Sequence, residues 1–217
     1  MNVSVLSQKG GAGKSMLAQA LAFYCAQQDI DVIIADMDTY QHTTLEWAKR
    51  RSEAGVEPVI NAKSCEDPLE ALALGDTCDV LIIDGTPFAD RNTGVLASNS
   101  DWVIIPTGIS VADLDPSLEL AYELAAEGKI DPSRIILSVV KVPKGGDKEA
   151  MLTKRGIQDW GFLTPDSWLP MRTGYSQAMD AGLSVCETRF PALNEQAMRI
   201  CFQIDELISN GEDDGTS

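Results

Sequence analysis

The residues best placed to do chemistry are Lys9-Gly10-Gly11-Ala12-Gly13-Lys14-Ser15. Three glycines in a short loop let backbone N–H groups approach and encircle a phosphate chain, and the start of a following helix adds partial positive charge. Lys14 can then reach terminal phosphates, and the Ser15 hydroxyl can hold Mg²⁺. Two further sets of carboxylates complete the picture. Asp36 and Asp38 end the apolar run Ile30–Ala35, and Asp84 ends Val80-Leu81-Ile82-Ile83. A βαβ unit brings Asp36 and Asp38 near the loop, and Asp84 stands at a strand's carboxyl end, where open α/β sheets bind ligands.

Local patterning supplies the elements that must position these groups. Residues 2–7 read as a first strand and residues 14–28 as a helix, with Leu17, Leu21 and Tyr24 at helical spacing. The spacing predicts strand, loop and helix in that order, where a flexible glycine linker would lack both flanks. Apolar runs without alternation at 30–35, 80–83 and 135–140, with Asp101–Pro106, predict strands buried on both faces of a parallel sheet. Helices are expected over 43–52, 66–74, from Asp115-Pro116 onward, over 147–160 and over about 191–209. A short strand is expected at Val56–Asn61. In the last helix Leu193, Ala197, Ile200, Ile204 and Ile208 share one face, and Asn210-Gly211 is its expected stop. The chain therefore reads as one domain over 1–209, followed by a polar acidic tail, 210–217.

The strict phosphate-loop pattern requires glycine at position 8, where this chain has Gln8. What it fits is K-G-G-x-G-K-[ST], with an extra lysine, Lys9, at the start. That stretch resembles the deviant Walker A box of the ParA/MinD family of dimeric ATPases. The resemblance implies an α/β P-loop NTPase fold, with a twisted, mostly parallel sheet and helices on both faces. It implies ATP and Mg²⁺ as cofactors, and nucleotide contacts from Lys9, Gly10, Gly11, Ala12, Gly13, Lys14, Ser15 and Met16. Lys9 becomes the signature lysine that crosses a nucleotide-sandwich homodimer. Catalysis falls to Lys9, Lys14 and Asp38, which positions the attacking water. The metal falls to Ser15, Asp36 and Asp84. Gly85 to Phe88 would form switch II. The family usually shows Pro-Gln after the aspartates; here Thr39-Tyr40-Gln41 follows, with Gln41 as the counterpart one place later. Leu169-Pro170-Met171-Arg172 matches the family's Ile-Pro-Arg turn. That match implies that Pro170 lies near the adenine and that a DNA-contacting helix starts there. The second glycine pair, Gly145-Gly146, lacks a following Gly-Lys-Ser and reads as a loop.

Composition bounds the partners. The chain has 217 residues and a net charge of −16, which disfavours a nucleic-acid-coating surface. The resemblance nevertheless implies a local DNA-facing patch on an ATP-bound dimer, with Arg172, Arg189 and Arg199 as its candidates. No apolar run approaches the roughly 20 residues that span a bilayer, and none of the five cysteines forms C-x-x-C. The expectation is a cytoplasmic protein without disulfides, nucleoid-associated when ATP-bound. Cys25 and Cys201 are expected in the core, Trp47 in packing, and His42 at a loop or helix start.

The expected function is a ParA-like switch. ATP drives dimerisation, the dimer binds non-specific DNA, and a small ParB-like or adaptor protein stimulates hydrolysis while a cargo is positioned. Two alternatives share the motifs. One is a small-molecule ligase or synthetase. The other is a membrane-associated MinD-type regulator, which would carry a basic amphipathic tail where this tail is acidic.

Overall fold

The computed structural model describes residues 1–86 and 91–214. Six strands form one parallel sheet: β1 (Asn2–Val5), β2 (Val32–Asp36), β3 (Asn61–Ser64), β4 (Val80–Asp84), β5 (Trp102–Thr107) and β6 (Ile135–Val139). Their order is β3-β2-β4-β1-β5-β6. Eight helices connect or flank the strands among the described residues: α1 (Lys14–Gln27), α2 (Thr43–Glu53), α3 (Pro68–Ala73), α4 (Arg91–Ser98), α5 (Val111–Ala126), α6 (Asp147–Asp159), α7 (Thr173–Asp180) and α8 (Pro191–Asp214). Parallel pairing demands crossovers, and the crossovers cover both sheet faces.

Alternation along each strand builds two cores. Val3, Val5, Ile34, Ile82, Ile104 and Ile136 face α1, α7 and α8. Leu6, Ala35, Leu81, Ile83, Val103 and Ile105 face the other layer, with Ala71, Leu96 and Leu120 from α3, α4 and α5. Each of these valine, leucine and isoleucine side chains, nearly or fully buried, contributes about 1.5–3 kcal/mol. In register, Asp36 of β2 stands opposite Asp84 of β4, and Asp84 opposite Val5 of β1. Three interior strands thus deliver two carboxylates and the glycine loop to the carboxyl-terminal end of the sheet.

Three boundaries differ from the sequence expectation. The third strand is Asn61–Ser64, not 56–61: Pro58 has no N–H for a ladder, and its carbonyl accepts from Arg51 Nε at 2.7 Å. Helix α5 starts at Val111, one turn before Asp115-Pro116. Ser110 occupies the cap position, where its hydroxyl donates to Asp113 Oδ2 at 2.6 Å. Pro116 sits inside the helix and offers no N–H to the Ala112 carbonyl, which instead lies 3.4 Å from Lys9 Nζ. Helix α8 continues through Asn210-Gly211 to Asp214. A Cβ at Gly211 would lie 2.6 Å from Cη2 of Trp102, so the glycine serves close approach to the indole rather than a helix stop. Pro87 and Phe88 of the expected switch II lie outside the described residues. Trp47 is buried, with Nε1 donating to the Leu183 carbonyl at 3.0 Å, and Cys201 is fully buried.

Candidate nucleotide site

The loop between β1 and α1 carries Gly11 at φ 73° and Gly13 at φ 106°. A side chain at Gly13 would be strained in this left-handed conformation, and its Cβ would press Val140 Cγ2 at 3.1 Å. The loop closes over Lys14, whose side chain is buried. Lys14 Nζ donates to Ser7 Oγ at 3.1 Å, and Ser7 Oγ donates to the Lys9 carbonyl at 2.9 Å. Burial lowers the Lys14 pKa, and the nearby charges of Asp84 and Asp38 partly restore it. A dry ammonium facing two carboxylates is a site that gains by binding further anionic oxygen.

A cavity of about 240 Å³ lies against this loop. Gly10, Gly11, Ala12, Gly13, Lys14, Ser15 and Met16 line one side, with Asp38, Gln41, Thr43 and Gly85 opposite. Asp38 is half-buried, and its Oδ1 accepts from the N–H groups of Tyr40 (3.2 Å) and Gln41 (3.0 Å). The structure thereby brings Asp38 and Gln41 to the phosphate loop despite the altered spacing after the aspartates.

Asp36 is fully buried. Its Oδ1 accepts from Asp38 N at 3.0 Å, and its Oδ2 from Thr44 N at 2.9 Å and Leu45 N at 3.0 Å. Burial raises its pKa and these three donors oppose the rise. A carboxylate offers about four acceptor positions, so Asp36 keeps little capacity beyond the loop it anchors. Asp84 differs. Its pKa is pushed up to about 6 by burial, against hydrogen bonding from Thr44 and the proximity of Ser15. Thr44 Oγ1 donates to Oδ2 at 2.7 Å, whereas Oδ1 is buried and without a hydrogen-bond partner of normal geometry. A buried, unsatisfied carboxylate oxygen beside Ser15 and Lys14 fits the water shell of a hard cation such as Mg²⁺. Ser15 and Asp84, with Asp36 behind them, are the residues that would hold it.

Lys9 is half-exposed. Its ammonium pairs with Asp113 Oδ1 and reaches the Ala112 carbonyl on α5. Lys9 and Ser110 together hold the Asp113 pKa below the usual carboxylate value. A neighbouring cavity of about 340 Å³ is lined by Met16, Pro170, Arg172, Tyr175 and Met179, with Asp180 and Lys141 at its polar margins. Met16 and Pro170 therefore meet in one largely apolar recess beside the loop, of a kind that accepts a flat ring.

The candidate arginines do not gather at one place. Arg172, in the lining of that recess, occupies the N-cap position of α7 and donates to the Met171 carbonyl at 2.9 Å. Arg189 lies over the Phe190 ring at 4.8 Å, and Arg199 pairs with Glu195 at 3.1 Å. Sequence reasoning missed Asp113, Thr44 and Gln19 as neighbours of the site. Lys141, at φ 57° in the loop after β6, donates from Nζ to the Gly11 carbonyl at 2.5 Å. Thr44 carried no signal beyond its place in a helical first turn.

This sheet, with its glycine loop after β1 and acidic ends on β2 and β4, defines a P-loop nucleotide-binding protein. The model of the CobQ/CobB/MinD/ParA nucleotide binding domain matches residues 3–185, and the chain belongs to that family. Among solved structures, MinD of Pyrococcus horikoshii with Mg-ADP aligns at a TM-score of 0.73 and 14% identity, covering 97% of this chain and 98% of that one. McdA of Cyanothece, in an ATP complex, aligns at 0.66 and 18% identity over 96% of each chain. A putative plasmid partition protein of Borrelia burgdorferi bound to AMPPNP aligns at 0.69 and 18% identity, covering 96% of this chain and 98% of that one. These likenesses establish the fold. No curated protein sequence matches the chain.

Proposed function

We propose that this chain is an ATPase of the ParA type, cycling between a monomer and an ATP-bound homodimer to position a cargo. One observation carries the reading. Lys14, Ser15 and Asp38 line one cavity at the loop, with the buried Asp84 carboxylate next to Ser15 and Lys14, while Lys9 of the same loop pairs with Asp113. In this reading the loop N–H groups and Lys14 hold the phosphates. Ser15, Asp84 and the remaining acceptor site of Asp36 hold the metal's water shell. Mg²⁺, when bound, neutralises charge on the terminal phosphates. Asp38 and Gln41 orient the attacking water, since both reach the cavity from the loop after β2. Met16 and Pro170 enclose the base.

Lys9 serves the partner subunit. It leaves Asp113 at little cost, because an exposed ion pair is worth about 0–1 kcal/mol. Partner-stimulated hydrolysis by a small ParB-like or adaptor protein, and retention on non-specific DNA through Arg172, Arg189 and Arg199, complete the cycle. No helix among the described residues is long and apolar enough to cross a membrane. A small-molecule synthetase would need a second substrate before ATP turned over.

The test is nucleotide titration with Mg²⁺, followed by turnover without any added small molecule. Lys14→Ala removes a buried, charge-assisted phosphate contact of about 1.5–3 kcal/mol, so affinity should fall about 10- to 150-fold. Wild-type affinity in that variant would defeat the assignment of the pocket.

A further inference from the structure

We propose that Thr44 is a positioning residue for the metal side of this site: its hydroxyl, steadied by Gln19, fixes the Asp84 carboxylate so that Oδ1 faces the cation's water shell. The proposal rests on the reading of this pocket as a Mg-nucleotide site.

Thr44 lies in the first turn of α2 and has no solvent exposure. Its hydroxyl has one proton to give. Gln19 of α1 approaches it with Nε2 at 3.1 Å, and an amide nitrogen only donates. The hydroxyl proton must therefore go to Asp84 Oδ2, 2.7 Å away. The chain Gln19 to Thr44 to Asp84 runs in one direction and cannot reverse while Asp84 is ionised.

The consequence falls on the other oxygen. With Oδ2 engaged, the carboxylate is held, and Oδ1 remains buried near Ser15 with no hydrogen bond of normal geometry. Gln19 Oε1 is likewise buried and unpartnered, so this orientation is held at the expense of an unmet acceptor. Unmet buried oxygens are costly unless a ligand completes them. The same residue also acts through its backbone, since Thr44 N and Leu45 N hold Asp36 Oδ2. The first turn of α2 thus engages both strand-end carboxylates. It also follows closely on the loop that carries Asp38, whose carbonyl accepts from His42 N at 2.8 Å. A shift of that loop would reach the metal side through Thr44.

The experiment compares Thr44→Val, which keeps the side chain's shape without the hydroxyl, with Thr44→Ser, which keeps the hydroxyl. ADP affinity is measured calorimetrically in EDTA and across a Mg²⁺ series, alongside the melting temperature. Outer-layer partners of metal ligands typically account for 10- to 100-fold in metal affinity. Thr44→Val should raise the Mg²⁺ concentration for half-maximal enhancement of ADP binding by at least about tenfold, with the loss confined to the Mg²⁺-dependent part. Thr44→Ser should restore it. Gln19→Met, which removes the donor that steadies the hydroxyl, should shift the Mg²⁺ midpoint in the same direction. It supplies the measurement if the valine variant does not fold. An unshifted midpoint in Thr44→Val, or in Gln19→Met where that variant stands in, would overturn the proposal. So would a serine variant as impaired as the valine one. If wild-type ADP binding shows no response to Mg²⁺, the nucleotide-site reading itself falls, and the proposal falls with it.

Discussion

Arg51 and Glu187 form the most deeply buried ion pair among the described residues, and they brace the nucleotide pocket from behind. Arg51, on α2, has a side chain only 1% exposed; that of Glu187 is 14% exposed. The guanidinium donates to Glu187 Oε2 at 2.6 Å and Oε1 at 3.1 Å, and to the carbonyls of Pro58 at 2.7 Å and Gly182 at 3.3 Å. It also lies over the rings of Phe23 and Trp47 at 5.5 and 5.8 Å. Glu187 Oε2 accepts in addition from Ser184 N at 2.7 Å. The pair joins α2, which presents Thr44 to Asp84, to the turn after α7, which presents Met179 to the pocket. Glu187→Gln retains the shape and an acceptor for Ser184 but leaves a dry, unpaired guanidinium. Breaking a buried pair from one side costs about 3–5 kcal/mol. At about 2–4 °C per kcal/mol for a domain of this size, the melting temperature should fall by about 6–20 °C. Removing both charges, with Arg51→Met in the same chain, should recover at least about 1–2 kcal/mol relative to the sum of the single effects. Urea denaturation of the wild type, both single variants and the double closes the cycle. A loss below about 1 kcal/mol in Glu187→Gln, the range of exposed pairs, would refute the argument, because it would mean that water reaches the guanidinium.

The remaining predictions concern the reaction cycle and pH. Lys9→Ala should bind ATP as a monomer yet fail to dimerise, whereas Asp38→Ala should accumulate the ATP-bound dimer; light scattering with ATP separates them, and normal hydrolysis by either variant would reassign its role. The dimer trapped by Asp38→Ala should retain duplex DNA in a low-salt gel shift and lose it with Arg172→Glu or Arg199→Glu, since such binding rests on neutralised phosphates. Absence of retention would remove DNA from the cycle. Asp84, with its carboxyl pushed up to about 6 by burial, binds a proton in the folded state more readily than in the unfolded one. The metal-free protein should therefore lose stability as pH rises from about 4 to 6 relative to Asp84→Asn. Parallel melting curves for the two proteins across that range would contradict the shift.

The elements that sequence patterning located best are those whose cause is local. Apolar runs at Val80–Ile83 and Ile135–Val139 become strands β4 and β6 because the sheet is covered on both faces. The loop at Lys9–Ser15 is legible because its glycines and lysines lie within seven consecutive residues. Legibility ends where a contact far along the chain decides the outcome. Gly211 reads as a helix stop until Trp102, more than a hundred residues earlier, is seen against its Cα. Pro116 reads as a helix start until the helix is seen to begin one turn earlier, after Ser110, with the Ala112 carbonyl that Pro116 cannot serve lying 3.4 Å from Lys9 Nζ. The metal side shows the same limit. Asp36 and Asp84 are equivalent in sequence, since each closes an apolar strand and they stand in register. Their difference arises from α2, whose first turn gives Asp36 two N–H donors but gives Asp84 only one hydroxyl. That asymmetry satisfies one carboxylate within the protein and leaves the other an oxygen short. The difference between the two aspartates is therefore set by where a neighbouring helix begins, which neither strand encodes.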